Sequence, residues 1–293
     1  MTDQGSLRFA EALTPAQKQQ AVRQIFDTIS ADYDRMNDVE SFRQHRRWKR
    51  ALVQAVLAAL ASPSGAATGA ASAEPAANAV ASASGATAAS AAIVPNATPG
   101  GPIILDVACG TGDIPLALAA AWPPQFPIAQ IIGLDFSANM LLVAEQRAAS
   151  RGATVLRPRF IAGDALALPL AADSADVVTI SFGLRNLPEF GPALREMVRV
   201  LKPGGAFFCL EASYPTNPLV RPFFRLYFSR LMPWRAARLV GHQEQYQWLN
   251  DSTEAFLTKP ELAALMRESG LVAVSYRSFL CGAAALHQGR KPL

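Results

Sequence analysis

The chain has 293 residues, 51% apolar and 17% charged, long enough for one large core or two small ones and too apolar to remain unfolded. Its net charge of +4 permits a phosphate or an anionic membrane as partner without requiring either. No uninterrupted apolar run reaches the about 18 residues of a membrane-crossing helix. Cys109, Cys209 and Cys281 stand far apart with no CxxC pair, which excludes a disulfide framework, argues against a cysteine zinc site and fits a reducing, cytoplasmic compartment. The opening MTDQGSLRFAEALTPAQ has no apolar core and carries Asp3 and Glu11, so it reads as neither a signal nor a transit peptide.

In chain order, residues 1–60 hold two helical stretches, PAQKQQAVRQIFDTISADYDRMN and HRRWKRALVQAVLAAL. Residues 61–101 are nearly all Ala, Ser, Gly, Pro and Thr, with Glu74 the only charge. Pro63, Pro75 and Pro95 oppose an Ala-rich helix, so this segment is expected to be a flexible insertion. From residue 102 short apolar strands alternate with helices. Strands are expected at 102–108, 130–135, 155–162, 175–181 and 205–211, and helices at 114–121, 138–150 and 191–200. This pattern predicts a parallel sheet covered on both faces. A further helix begins near Thr258-Lys-Pro260, and strands at 272–279 and 282–290 are close enough to pair antiparallel at a sheet edge. The expected organisation is a helical lid over 1–60, the insertion over 61–101, and a core over 102–293 with a cap at about 214–250.

The first strand ends in Asp106-Val-Ala-Cys-Gly110-Thr111-Gly112-Asp113. A strand entering a Gly-rich turn before a helix is a cradle for a nucleotide or nucleoside. The dinucleotide fingerprint fails, because Pro115 stands where GxGxxG counted from Gly110 needs its third Gly. Asp135 ends the second strand, 25 residues past Gly110, where a carboxylate can accept both hydroxyls of a ribose. Asp164-Ala165 follows the third strand and can meet an adenine amino group, although an Asp there also serves as a helix cap. There is no Pro-Cys loop and no NPP[YF] motif after the fourth strand, which argues against methylation of nucleic-acid bases.

These segments together resemble the class I S-adenosylmethionine (SAM) methyltransferases. Tyr33-Asp-Arg-Met-Asn37 with Ser41, His45 and Trp48, Ser181-Phe-Gly-Leu-Arg-Asn186, Arg199-Val-Leu-Lys-Pro-Gly-Gly205 running on to Glu211 and Ser213, and Ala285-Leu-His-Gln-Gly-Arg-Lys291 narrow the likeness to the menaquinone/ubiquinone C-methyltransferase family. Within it, SFRQHRRWKR, LEASYPTNPLVRPFFRLYFSRLMP and YQWLNDSTEAF most resemble the demethylmenaquinone methyltransferases of the Gram-positive type. The Ala-rich segment and the acids of Asp38-Val-Glu40 depart from the family pattern, and Ala108 stands for the first Gly of DxGxGxG. The resemblance implies a Rossmann-like, mostly parallel seven-stranded sheet with an antiparallel C-terminal edge. It implies SAM as methyl donor, held by Asp106, Gly110, Thr111, Gly112, Asp135, Asp164, Ala165 and Ser181, and no metal.

The implied reaction is methylation of a ring carbon of a prenylated naphthoquinol. The runner-up is a prenylated benzoquinol, and a catalytically silent SAM-fold protein is a rival of another class. Arg185 and Asn186 are candidates to orient a phenolate, or else stabilise their loop. Tyr246 and His287 are secondary candidates, and His45 and His287 are read first as structural. Tyr33 and Trp48 read as core of the lid. Between Glu211 and Glu244 the chain carries Arg221, Arg225, Arg230, Arg235 and Arg238 among aromatic residues and no acid. That stretch fits a helical cap with snorkelling arginines, or peripheral contact with an anionic membrane surface on the cytoplasmic side. Nucleic acid is not expected as a partner, and a homo-oligomer is left open.

Overall fold

The structure is a computed structural model that describes residues 14–29, 33–61, 101–151, 156–215, 222, 226, 252, 253 and 255–293. The expected insertion apart from its end residues Ala61 and Gly101, Tyr246 and all of the 218–242 stretch except Pro222 and Leu226 lie outside the described residues. Three helices come first, α1 (Pro15–Ile29), α2 (Tyr33–Glu40) and α3 (Gln44–Ala61). Then follow β1 (Ile103–Val107), α4 (Asp113–Ala121), β2 (Gln130–Asp135), α5 (Ala138–Ser150), β3 (Arg159–Ala162), β4 (Ala175–Ser181), α6 (Phe190–Val200) and β5 (Leu201–Ala212). The chain ends with α7 (Lys259–Glu268), β6 (Val272–Phe279) and β7 (Ala284–Arg290).

The seven strands form one sheet in the order β3-β2-β1-β4-β5-β7-β6. The first five are parallel, and β7 pairs antiparallel with both β5 and β6. The parallel part is the one expected from the strand–helix alternation, and the seven-stranded order with its antiparallel C-terminal edge is the one the family resemblance implied. Successive residues of a central strand face opposite layers. In β1, Leu105 and Val107 join one apolar cluster with Leu194 and Met197 of α6 and Leu262 and Met266 of α7. Ile104 joins the other, with Ile114 and Leu118 of α4.

Helix α3 covers that second face. Its buried side chains His45, Trp48, Leu52, Val53 and Val56 recur at spacings of three, four and one, the stripe of a helix with one inward face. Trp48 packs against Phe182 and Phe279, each ring centre 6.3 Å away. Asp38 organises the turn from α2 into α3: it lies 2.9 Å from His45 Nε2 and accepts a 2.6 Å hydrogen bond from Arg46 Nη2. The acid in the Asp38-Val-Glu40 segment thus has a local structural partner.

The starts of β5 and β3 differ most from the sequence expectation. β5 begins at Leu201, four residues early, because Ala175 already pairs with Leu201 before the register shifts at the Lys202-Pro-Gly-Gly turn. β3 is shorter than expected, and its outer position leaves Arg159 and Ala162 exposed.

Truncating Trp48 leaves a cavity between α3 and the sheet. Trp48→Ala is expected to cost about 3–5 kcal/mol of unfolding free energy, read from denaturant curves. A loss below about 1 kcal/mol would mean that α3 is not part of the cooperative core.

Candidate active site

Strand order reverses between β1 and β4, so the crossovers leave in opposite directions and a crevice opens at their carboxyl ends. β1 runs into the turn Ala108-Cys-Gly-Thr-Gly112, with positive φ at Ala108, Gly110 and Gly112. A Cβ added to Gly110 would meet nothing nearer than Tyr33 Cε1 at 3.9 Å, so this backbone faces open space. A Cβ on Gly112 would sit 2.8 Å from the Phe160 ring. The absence of a Cβ at Gly112 therefore lets the turn pack on β3.

Asp135 ends β2 and is buried. Its oxygens accept hydrogen bonds from Gly110 N at 2.8 Å and Ser137 N at 2.9 Å. Burial pushes its carboxyl up to about 6, against the pull of these backbone donors. Phe136 N is a third backbone donor, and of the about four lone-pair sites of a carboxylate one remains open. Asp164 accepts from Leu166 N at 2.9 Å and, on its other oxygen, from Gln19 Nε2 of α1 at 3.0 Å. The buried Ser181 Oγ has no hydrogen-bond partner among the described residues, nor has Asn186 Oδ1.

Gly110, Asp135, Asp164, Ala165, Ser181 and Asn186 line one cleft of about 690 Å³, part of it open to solvent. Val22, Phe26 and Leu187 give it apolar walls. A smaller pocket of about 290 Å³ shares Tyr33, Ala108, Gly110 and Ser181 with the cleft and adds Lys49, Asp106 and Thr111. An open Gly-rich turn, a carboxylate with a spare acceptor site and an unpartnered buried hydroxyl fit a nucleoside that carries a polar tail.

Two expected site residues lie elsewhere. Arg185 turns inward and pairs through Nη1 with the buried Glu211, which also accepts from Arg185 N at 3.3 Å and Ala212 N at 2.9 Å. Arg185 is not part of the cleft wall, because this register of β4 and β5 sets a carboxylate behind it. His287 faces α7, with Nε2 3.0 Å from Lys259 O, and burial lowers it to about 4. It too is outside the cleft.

The N-terminal helices contribute more than the sequence indicates. Tyr33 lines both spaces, and α1 holds to the core through Lys18 Nζ on Leu187 O at 2.8 Å, Arg23 Nη2 on Phe136 O at 2.9 Å and Asp27, which accepts from Ser137 Oγ at 2.5 Å. Asp113, at the start of α4, lies between Lys49 Nζ and Arg147 Nη2, each at 2.6 Å. Burial opposes its ionisation, yet the two cations hold its carboxyl well below the usual range. The signal for Tyr33 and Lys49 lies in the YDRMN and HRRWK motifs, but only the packing shows where they point. Among the described residues no group of His, Cys, Asp and Glu is placed to hold a metal ion, and no helix is long and apolar enough to cross a membrane.

Asp106, at the floor of the smaller pocket, accepts a 2.5 Å hydrogen bond from Thr179 Oγ1. Burial pushes its carboxyl from 3.8 up to about 7, with Thr179 opposing. The folded state then holds this proton more tightly than the unfolded chain does. The resulting stabilisation is present at low pH and is lost as pH rises from about 4 to about 7. Asp106→Asn removes the titration. The melting-temperature difference, variant minus parent, is expected to be larger at pH 8 than at pH 5. An equal difference at both values would contradict the burial argument.

Comparison with known proteins agrees with this geometry. Proteins of Staphylococcus aureus strains JH9 and Newman named demethylmenaquinone methyltransferase are 37% identical over 276 residues, 94% of this chain and 95% of theirs. Among solved structures, a SAM-dependent methyltransferase of Thermotoga maritima, described as a possible histamine N-methyltransferase, aligns with a TM-score of 0.53 at 17% identity, over 92% of this chain and 99% of that one. A possible exported protein of Bordetella parapertussis aligns with 0.50 at 21%, over 66% and 62%. At such identities these two likenesses speak for the fold alone. The sequence profile of the ubiE/COQ5 methyltransferase family matches residues 14–84 and 89–291, and the chain belongs to that family of SAM-dependent methyltransferases.

Proposed function

We propose that the chain transfers a methyl group from SAM to a ring carbon of a prenylated naphthoquinol, converting demethylmenaquinol to menaquinol in menaquinone synthesis. The observation that carries this reading is the 37% identity, over nearly the whole chain, to relatives named for that activity. The cleft's composition, polar at the strand ends and apolar along α1, supports it.

When bound, SAM supplies an electrophilic methyl group on a sulfonium, so the reaction as proposed draws on no metal. Asp135 receives a ribose hydroxyl on its one open acceptor site. Asp164 and Ala165 border the adenine, with Gln19 fixing the Asp164 carboxylate. Ser181 and Thr111 lie toward the methionine end.

On the substrate side, Tyr33 is kept protonated: burial raises its phenol above the usual tyrosine range, against the opposing charges of Lys49 and Arg185. In this reading it donates a hydrogen bond to a quinol oxygen, and Asn186 Oδ1, unpartnered among the described residues, accepts one. Arg185 acts from behind, its pairing with Glu211 holding the 182–186 turn. Val22, Phe26 and Leu187 keep the cleft poor in water, which favours a step in which a phenolate and a sulfonium lose their charges together. Residues 1–60 serve as the substrate-side wall and residues 102–293 as the SAM-binding core. The arginines and aromatics of 218–242, read from sequence, suit peripheral contact with an anionic bilayer, where the isoprenoid tail partitions.

Labelled SAM offered with paired prenylated naphthoquinol and benzoquinol is expected to label the naphthoquinol ring. Labelling of the benzoquinol alone would overturn the substrate assignment. Asp135→Ala is expected to weaken SAM by ~1–3 kcal/mol, measured by calorimetry. Asn186→Ala is expected to lower kcat roughly 10-fold or more with SAM affinity little changed. Equal losses in both would make Asn186 structural.

A further inference from the structure

Two tight turns stand at the end of the molecule where the crevice opens. One is Ser41-Phe42-Arg43, between α2 and α3, and the other is Leu280-Cys281-Gly282, between β6 and β7. β5 and β6 each pair antiparallel with β7 and so run in the same direction, which puts the end of β6 level with the carboxyl ends of the parallel strands. Trp48, about one helical turn into α3, packs against Phe182, just past the end of β4, and against Phe279, the last residue of β6. That packing ties the start of α3 to the tip of the β6–β7 hairpin.

Both turns show large apolar side chains to solvent. Leu280 is 60% exposed and Phe42 51%, and Leu280 joins none of the three apolar clusters. The backbone is left-handed at Phe42, Arg43, Leu280 and Cys281, a region that glycine enters more readily than any of these residues. Cations surround the two tips. Residues 41–60 carry Arg43, Arg46, Arg47, Lys49 and Arg50 and no acid, and residues 269–293 carry Arg277, Arg290 and Lys291 and no acid. Asp38 of α2 is shared among Arg43, His45 and Arg46. Arg47 and Arg50 are exposed on α3 and form no ion pair with a described residue. Arg277, exposed on β6, lies 4.9 Å over the Phe279 ring.

Apolar tips set among arginines suit the headgroup level of an anionic bilayer, where the cations meet lipid phosphates and the tips reach the acyl boundary. A nucleic-acid backbone satisfies the charges and leaves the tips in water. A second copy docked by the same face sets arginine against arginine.

We propose that this rim, with Phe42 and Leu280 at its tips and Arg47, Arg50 and Arg277 beside them, is the face that docks on an anionic bilayer, crevice toward the lipid. Its purpose rests on the quinol reading, because a substrate held in the bilayer reaches the cleft from this end. The contact itself rests on the two turns and uses none of residues 218–242.

Cys281, exposed and next to Leu280, carries the reporter, since Cys109 and Cys209 are buried. The full chain, labelled there with an environment-sensitive fluorophore, is mixed with vesicles of phosphatidylcholine and phosphatidylglycerol, and with vesicles of phosphatidylcholine alone. Co-sedimentation at low salt, a blue shift of the label and its quenching by nitroxide-bearing lipid are expected with the mixed vesicles only. Arg47→Gln with Arg50→Gln is expected to weaken binding roughly 10-fold or more. Phe42→Ser with Leu280→Ser is expected to weaken it by roughly the same factor and to leave its salt dependence in place. Turnover of a tail-less naphthoquinol is expected to hold in both paired variants, because none of these residues lines the cleft. Co-sedimentation without a shift or quenching of the label means that another face meets the bilayer, and it overturns the proposal. So does an absence of co-sedimentation, parent-like binding by both paired variants, or displacement of the vesicles by single-stranded RNA. The label is read on the parent chain, so the outcome does not hang on the folding of any variant. The quinol reading is judged separately, by labelling of the naphthoquinol ring.

Discussion

The reversal of strand order between β1 and β4 governs where ligands can bind in this molecule. Parallel strands need crossovers, and each crossover helix covers the face it packs on. Only where neighbouring strands send their chains in opposite directions does the sheet's edge stay open. The residues that end β1, β2 and β4 are therefore brought to one crevice from widely separated stretches of sequence. Asp106, Asp135 and Ser181 are polar at the last or near-last position of mostly apolar strands. Their burial follows from the fold, and their raised or unpartnered state follows from their burial.

That electrostatic state separates two kinds of acid. Asp106 and Asp135 sit among few compensating charges, and burial raises both. Asp113, a few residues along the same turn, is bracketed by Lys49 and Arg147 and stays ionised. The first pair can exchange protons or ligand hydrogen bonds near neutral pH, while the third works as fixed structural charge. Arg185 and Glu211 form a second fixed pair on the opposite side of the cleft. Asp113 and Lys49 still line the smaller pocket, whereas Arg185 and Glu211 support the 182–186 turn from behind.

Much of this was legible in the sequence, for identifiable reasons. β1, β2 and β4 are mostly apolar on both faces, and that pattern marks a buried parallel strand. Gly110, Asp135, Ser181 and Asn186 end or follow these strands at short range, so locating the strands locates them, and Asp164 and Ala165 come just after the weaker β3. Arg185 is legible as a residue but not in its role, because the carboxylate that claims it lies 26 residues away and is aligned only by the register of β4 with β5. Tyr33, Lys49 and Gln19 are harder still. Hydrophobic periodicity shows that α1 and α3 have an inward face, yet it does not show which end of the sheet that face meets. The early start of β5 is hidden for another reason: Lys-Pro-Gly-Gly has the composition of a turn, and the pairing of Leu201 with Ala175 is non-local.

The helices over the crevice are not anchored alike. Trp48, Leu52, Val53 and Val56 of α3 belong to the large apolar cluster on the sheet. Val22, Phe26 and Ile29 of α1 instead form a small cluster of their own with Met36 and Met140, supplemented by polar contacts at the margin. Such a unit opens at lower free-energy cost than the core it rests on. The consequence is an asymmetry in time. The Asp164 end of the cleft, which α1 covers through Gln19, is therefore uncovered by a smaller and less costly opening than the pocket beside Lys49, which lies under α3.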